Sequence, residues 1–308
     1  MKKVSIFLPA YKTTFLAEAI QSILDQTFTN FELLIVNDAS PECVREIVEK
    51  FTDRRICYTE NIENQGSKDL VAFWNQELKR CKGEFLLIAS DDDFYAPTYL
   101  QEMVLLTEKY PEVDLFHCRI KYIDNGGNII QIAQPAQNYE TQMDFIYQKL
   151  IWKRKQTLQE FLFRTSALIG GGGIVSFPLA WASDSATAFL MAENGVAYTN
   201  NILFSLRMSG VNISESSNYI SEKIEAMKQY ARWLPNFLHN VKCKTPEEEF
   251  MKEEAIRISL AERYASYPNK LQKLGLSEFI KEMKYIARHH IFSWRAILYI
   301  TLKRLTHL

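Results

Sequence analysis

Three consecutive aspartates, Asp91, Asp92 and Asp93, directly follow the apolar run Phe85-Leu86-Leu87-Ile88-Ala89. Such a run reads as a buried strand of a parallel sheet, and open α/β sheets bind ligands just beyond the carboxyl ends of their strands. Adjacent carboxylates repel, so they need either a cation or exposure to water. Short acidic side chains suit Mg2+ or Mn2+ shared with a substrate phosphate; the competing assignment is a solvated acidic turn. A fourth acid, Asp38, ends a second apolar run in Val36-Asn37-Asp38-Ala39-Ser40. There it could accept hydrogen bonds from a base or a ribose hydroxyl, beside the flat face of Tyr11, or cap a helix opening near Pro41. A fifth, Asp184, sits among small and apolar residues in Phe177–Ser185, where a helix through Phe189 and Met191 begins. Partial burial would raise its pKa toward that of a general base, and a helix cap is the alternative. Four glycines, Gly170–Gly173, precede it; such a run is entropically costly unless it serves close approach or flexibility, and it is expected to form a mobile wall.

The elements that must hold these residues alternate. Strands are expected over Val4–Leu8, Glu32–Val36, Arg55–Thr59 and Glu84–Ala89. Helices are expected over Phe15–Gln26, Pro41–Phe51, Lys68–Arg80 and Pro97–Tyr110. The alternation implies a parallel, doubly wound sheet. Asp114–Ile123 and Ile129–Ala133 flank Asp124-Asn125-Gly126-Gly127-Asn128, a hairpin signal. The middle third is less regular. From about Glu215 the chain turns helical, with Pro235, Pro246 and Pro268 as punctuation.

No G-x-G-x-x-G follows the first strand, where the chain reads Pro9-Ala10-Tyr11-Lys12-Thr13-Thr14, and no Walker A sequence occurs anywhere. The composition is that of a globular protein, with 47% hydrophobic and 24% charged residues in 308. A net charge of −1 argues against a nucleic-acid partner. The five cysteines are scattered and read as reduced thiols of a cytoplasmic protein. Val4–Tyr11 contains Pro9, stops at Lys12 and lacks a cleavage site, so it reads as a strand and not a secretion signal.

In order, Val4-Ser5-Ile6-Phe7-Leu8-Pro9-Ala10-Tyr11, Ile35-Val36-Asn37-Asp38-Ala39-Ser40, Asn64-Gln65-Gly66, and Gly83-Glu84 leading to Asp91-Asp92-Asp93 resemble family 2 glycosyltransferases of the GT-A fold. The resemblance covers about residues 3–110 strongly and 165–215 moderately. It implies a nucleotide-sugar donor, a divalent cation (Mn2+ or Mg2+) on its diphosphate, and inversion at the anomeric carbon. Carried over by position, Pro9, Tyr11, Asp38, Asn64 and Gly66 would hold the nucleoside, Asp92 and Asp93 the metal, and Asp184 the acceptor's proton. The sequence departs from the family in three places. Ser90 replaces the first acid of the metal motif, so Asp91 is assigned the ribose or metal contact. The Asn64–Asn75 segment is about three residues longer than is common, and it places Lys68 either on a donor phosphate or in water. Ser209 replaces a family histidine two residues after Arg207, which would bind phosphate or pair with a carboxylate.

The histidines offer no metal spacing: His117 and His239 are isolated, and His289-His290 lie in a basic helical stretch. Residues 281–308 combine Lys281, Lys284, Arg288, Arg295, Lys303 and Arg304 with Ile291, Phe292, Trp294, Ile297, Leu298, Tyr299, Ile300 and Leu302. That suits either an interfacial amphipathic helix on a membrane or a helix packed on the catalytic domain.

The sequence therefore reads as an α/β protein of GT-A type, with a mostly parallel central sheet, flanking helices and a helical C-terminal extension. Residues 1–110 would bind the nucleotide sugar (a UDP-sugar by preference), 111–215 the acceptor, and 216–308 would form the extension. The expected activity is metal-dependent, inverting sugar transfer to a glycan or lipid-linked acceptor in cell-surface polysaccharide synthesis. The alternatives are a sugar-phosphate nucleotidyltransferase, which would want a Gly-rich, arginine-bearing loop after the first strand, and a non-catalytic carbohydrate-binding relative.

Overall fold

A computed structural model describes residues 3–209, 219–261, 271–288 and 294–305. The loop expected from Gly210 to Ser214, Pro268, and the stretch containing His289, His290, Ile291 and Phe292 lie outside them. The chain divides into two compact units, Met1–Glu215 and Ser216–Leu308.

The first unit is built on one ten-stranded sheet. Strands β1 (Val4–Ala10), β2 (Phe31–Asn37), β3 (Ile56–Glu60) and β4 (Phe85–Ile88) run parallel in the order β3-β2-β1-β4. Helices α1 (Leu16–Leu24), α2 (Val44–Val48) and α3 (Gly66–Leu78) make the crossovers. Short β5 (Phe94–Tyr95) and helix α4 (Tyr99–Lys109) follow, then β6 (Leu115–Ile123), which forms the expected hairpin with β7 (Ile129–Ile132). Next come β8 (Tyr139–Glu140), α5 (Gln142–Leu150), β9 (Leu162–Arg164), α6 (Thr165–Gly170), α7 (Ser183–Met191) and β10 (Val196–Arg207). Strand β9 runs antiparallel between β4 and β6, and β10 lies parallel to β6. This is the expected α/β class, with the parallel half complete by residue 88.

Both faces of β1 are buried, which is why it reads as an unbroken apolar run. Ile6 and Leu8 join the core cluster of α1 and α4 residues such as Leu16, Ile20 and Met103. Phe7 points the other way, its ring 6.1 Å from Phe73 of α3 in an edge contact. Full burial of one such ring stabilises by ~1.5–3 kcal/mol. Ser5, on the Phe7 face, accepts the Lys82 and Gly83 N–H groups at 3.0 and 2.7 Å. A Cβ on Gly83 would lie 2.4 Å from the Ser5 nitrogen, so only glycine lets the chain turn this closely into β4. The Phe7 carbonyl accepts the Ala89 N–H, and Pro9, two residues on, faces the same side where β4 has already ended. Its missing N–H therefore breaks no ladder bond.

Helix α2 is shorter than the expected Pro41–Phe51, and the reason is local. Asn37 Oδ1 accepts the Ser40 N–H, Ser40 Oγ donates to the Tyr11 carbonyl and accepts the Glu42 N–H. Side-chain bonds of this kind satisfy the backbone without a helix, so Pro41 and Glu42 stay in a turn. Gly126 and Asn128 donate to Asp124 Oδ1 at 2.9 and 2.8 Å in the hairpin turn, as an Asx turn requires.

The second unit contains helices α8 (Ile220–Asn240), α9 (Pro246–Ala261), α10 (Leu276–Arg288) and α11 (Trp294–Leu305). Pro235, expected as punctuation, lies inside α8 and does not end it. Lys228 of α8, nearly buried, pairs with Glu282 of α10 at 2.6 Å. No helix among the described residues is long and apolar enough to cross a membrane.

Candidate active site

The ends of β1, β2 and β4 bring Tyr11, Lys12, Asp38 and the three aspartates to one edge of the sheet. Asp91 ties two of these ends together, its Oδ2 accepting the Tyr11 and Lys12 N–H groups at 2.9 and 2.7 Å. Burial raises its pKa, against the pull of Lys12 and the two N–H donors. Asp92 Oδ2 receives the Lys12 ammonium at 2.7 Å, and that ammonium stands 3.7 Å from Asp91 Oδ1. Burial works against the charge on Lys12, but Asp91, Asp92 and Asp93 together outweigh it and raise its pKa.

Asp93 is turned inward. Its Oδ1 accepts the Arg207 N–H at 2.7 Å and its Oδ2 accepts the Ser90 hydroxyl. Burial, reinforced by Asp92, pushes Asp93 up to about 7. The serine at the motif's first acidic position thus braces the third aspartate. Arg207 is itself 2% exposed. Its guanidinium donates to the Asp92 carbonyl at 3.0 Å, to the Asp124 and Asn125 carbonyls of the hairpin turn at 3.3 and 3.2 Å, and to Glu18 at 2.8 Å. It also stacks 3.9 Å above the Phe15 ring. Of the two roles expected for Arg207, carboxylate pairing is the one the structure contains.

Asp38 closes the other end of this edge. Its Oδ1 accepts from Asn61 at 2.7 Å and from the Gln65 N–H at 2.9 Å, while Oδ2 accepts the Gly66 N–H at 2.7 Å. It therefore caps α3 and not the helix near Pro41, because the positive end of α3 is the one aimed at β2. Asn64 Oδ1 accepts the Ser67 N–H at 2.7 Å in the same first turn. Tyr11 presents its ring to solvent at 43% exposure, and Pro9 lies one residue inside the strand end. Lys68 pairs with Glu63 at 2.7 Å, both side chains more than half exposed, which is the solvated alternative.

These residues constrain how a divalent cation would be held. Asp93 accepts one hydrogen bond on each oxygen, from Arg207 and Ser90, whereas Asp92 has a donor on Oδ2 only, so that of the two expected ligands Asp92 is the more open, with Asp91 Oδ1 beside it. Among the described residues no group of three or more His, Cys, Asp or Glu is arranged to hold a metal ion. One or two carboxylates, completed by donor phosphates and water, fit Mg2+ or Mn2+ of the substrate-bridging kind; an all-protein cage does not.

Asp184 is the second residue of α7, and no side chain caps that helix; the N-terminal cap is Ala182, with φ +68°. Leu179 and Ala180 also have positive φ, 57° and 54°. Three left-handed non-glycine residues within four positions store strain of roughly 1–3 kcal/mol each, a pattern that clusters at functional sites. The Asp184 carboxylate accepts no hydrogen bond among the described residues. Its electrostatic neighbours are Lys149 of α5, whose pKa burial lowers and Asp184 lifts, and Glu160, which burial holds protonated well above the usual carboxylate range. Glu160 also contacts His117 Nδ1 at 3.1 Å, so His117 is not isolated. The glycine run is fastened at its end: Asn75 of α3 bonds both the N–H and the carbonyl of Ile174 at 2.7 and 2.9 Å. Gly173 has φ +86°, and a Cβ there would meet Asn75 Oδ1 at 2.3 Å. The next residue, Val175, donates to Thr187 of α7 at 2.9 Å. A continuous chain of bonds thus runs from Asp38 through α3 to the helix that carries Asp184.

The profile described as "Glycosyl transferase family 2" matches residues 5–173, more than half of the 308-residue chain. The chain belongs to glycosyl transferase family 2. Among curated proteins, the family-2 domain is 32% identical over 138 residues to an uncharacterized glycosyltransferase of Rickettsia typhi, covering 44% of this chain and 42% of that one. It is 31% identical over 157 residues to the putative glycosyltransferase EpsH of Bacillus subtilis, covering 49% and 43%. The match spans less than half the length of these relatives. Among solved structures, S. aureus TarS 1–349 in complex with UDP-GlcNAc superposes with a TM-score of 0.70 at 20% identity, over 92% of this chain and 79% of that one. The mannosyltransferase PcManGT from Pyrobaculum calidifontis, in complex with GDP-Man and Mn2+, gives a TM-score of 0.55 at 17% identity, over 98% and 87%. Both likenesses concern the fold.

Within this family-2 domain the sequence reading missed Lys12, although a lone cation directly after β1 and an acidic triple after the neighbouring strand are signals visible in the chain. It also missed the Glu160–His117–Lys149 cluster, whose members come from three separate elements.

Proposed function

We propose that the chain transfers a sugar from a nucleotide donor to an acceptor hydroxyl with inversion. One observation carries this reading: Tyr11, Asp38, Asp91 and Asp92 converge beyond the carboxyl ends of three parallel strands, where α/β sheets take nucleotide ligands. Tyr11, Pro9 and the capped turn of Asp38, Asn64 and Gly66 would hold the nucleoside. Asp92, with Asp91, would hold Mn2+ or Mg2+. When bound, that ion offsets the negative charge that develops on the departing diphosphate. Asp184, its carboxylate unengaged, would take the acceptor's proton as the hydroxyl oxygen bonds to the anomeric carbon and the bond to the diphosphate breaks. A UDP-sugar is the favoured donor, and the complex of TarS with UDP-GlcNAc supports it. A thermal-shift comparison of UDP-, GDP- and dTDP-sugars with and without Mn2+ tests the reading. The largest stabilisation should come from a UDP-sugar with Mn2+ and vanish in Asp92→Ala. Equal responses of Asp92→Ala and the unaltered protein would refute the metal assignment.

The acceptor is proposed to be a glycan or lipid-linked glycan used in cell-surface polysaccharide synthesis, reached at the cytoplasmic face of a membrane. Helix α11 exposes Trp294, Leu298, Tyr299 and Leu302 at 50–69%, and Arg295 is exposed beside them. Lys281, Lys284 and Arg288 are exposed on α10. Arg304 is a correction to the basic count, since it donates to the Gln272 and Leu274 carbonyls. Anionic lipid would gain ~1 kcal/mol per basic residue near its surface. The full chain should therefore co-sediment with phosphatidylserine-containing liposomes at low salt and be released by high salt; no binding at low salt rejects the membrane contact.

A further inference from the structure

The ammonium of Lys12 stands where the proposed site needs a cation. It lies 2.7 Å from Asp92 Oδ2 and 3.7 Å from Asp91 Oδ1, on carboxylates whose side chains are 8% exposed. The other oxygen of Asp91 is occupied by the Tyr11 and Lys12 N–H groups, so Lys12 covers the face on which the two acids remain available. A divalent ion binds carboxylate oxygens at roughly 2.0–2.6 Å. At that range an ammonium still hydrogen-bonded to the same oxygen would face it at close, unfavourable like-charge distance. The ammonium and a metal bridging Asp92 Oδ2 and Asp91 Oδ1 therefore exclude one another.

We infer that Lys12 is a resident counter-ion that a divalent cation must displace from Asp92, and that the donor's diphosphate becomes the displaced ammonium's new partner, so metal and nucleotide bind cooperatively. The inference rests on the family-2 reading in which Asp92 holds the metal. Three features suit Lys12 to the exchange. Its side chain is 32% exposed on a flexible four-carbon stem, whereas the Asp92 carbonyl is held by the Arg207 guanidinium. Its backbone is pinned by Asp91, so the side chain can turn outward without moving the loop. Its neighbour Tyr11 already faces the nucleoside side. Metal entering alone would lose the Lys12–Asp92 pair and leave an ammonium beside a dication. With a diphosphate present, the same ammonium finds two negative charges.

The test is Mn2+ binding to the full chain, followed by the electron-spin-resonance signal of free Mn2+, with and without UDP. In the unaltered protein UDP should tighten Mn2+, and Mn2+ should tighten UDP by the same factor, about ten-fold or more within the usual range of coupling. Lys12→Met should bind Mn2+ alone about ten-fold more tightly than the unaltered protein and gain much less from UDP. Lys12→Arg, which keeps a cation, should restore the original pattern. Thermal melting checks that each variant is folded. If Asp92→Ala abolishes Mn2+ binding while Lys12→Met binds Mn2+ no more tightly than the unaltered chain, the metal reading stands and the role of Lys12 is overturned. If neither substitution alters Mn2+ binding, both fall together.

Discussion

At the end of β4 every aspartate has a donor on at least one oxygen: Asp93 from Arg207 and Ser90, Asp91 from two N–H groups, Asp92 from Lys12. The carboxylate of Asp184, at the start of α7, accepts no hydrogen bond among the described residues and follows a strained turn without glycine. The acids at the first place fix a shape, and the one at the second keeps its lone pairs. A carboxylate that must bind an ion gains from being oriented in advance, whereas one that must accept a proton gains from having no competing donor.

Five measurements test this contrast. Asp184→Asn should keep donor and metal binding and lose transfer by ~10²–10⁴-fold, the usual worth of a general base; near-normal turnover would make Asp184 an ordinary first-turn residue. Arg207→Met should destabilise by about 3 kcal/mol in urea unfolding, because it strands the Asp92, Asp124 and Asn125 carbonyls and removes the cation paired with Glu18, while the backbone N–H that Asp93 accepts stays in place. Gly173→Ala should cost about 2 kcal/mol through the left-handed backbone and the Asn75 contact; a neutral outcome would loosen the link between α3 and α7.

The fourth concerns pH. Burial raises the folded-state pKa of Glu160 above its unfolded value of about 4.3. The stability contributed by the protonated carboxyl is complete below that pH and is lost as pH rises toward the folded value, on the order of 1 kcal/mol per unit. Glu160→Gln can still offer one donor to His117 Nδ1 and one acceptor to the Thr157 N–H, without the ionisation. The melting temperature of the unaltered protein should therefore fall relative to Glu160→Gln between pH 4 and 8; a constant difference would mean that Glu160 is charged. The fifth and smallest is Lys68→Ala, expected to change stability by less than ~0.5 kcal/mol and donor affinity not at all. A weakened donor would return Lys68 to the phosphate.

The same contrast explains what the sequence disclosed. Buried parallel strands need continuous apolar runs, so β1, β2 and β4 and the acids at their ends were legible, as was the hairpin from its Asp-Asn-Gly-Gly turn. Helix α2 was over-read because Asn37 and Ser40 satisfy the following turn through side chains. Strand β9 was missed because three residues beside a strand distant in sequence carry no period of their own. The turn before Asp184 was invisible for a simpler reason: left-handed backbone is normally announced by glycine, and here Leu179, Ala180 and Ala182 adopt it.

Arg207 has a consequence in time. It joins the acidic loop to α1 and to the hairpin turn, yet it is the last residue of the last strand among the described residues, 114 positions after Asp93. At a synthesis rate of ~5–20 residues per second, the growing chain carries that loop for on the order of ten seconds before its fastener emerges. Through that interval Asp93 lacks its backbone donor and the Asp92 carbonyl lacks the guanidinium. A nascent chain of this protein is thus unable to assemble its acidic edge until the sheet is nearly whole, and, with that edge holding donor and metal as proposed, ribosome-stalled chains ending before residue 207 should release trapped UDP and Mn2+ that chains extended past the exit tunnel retain.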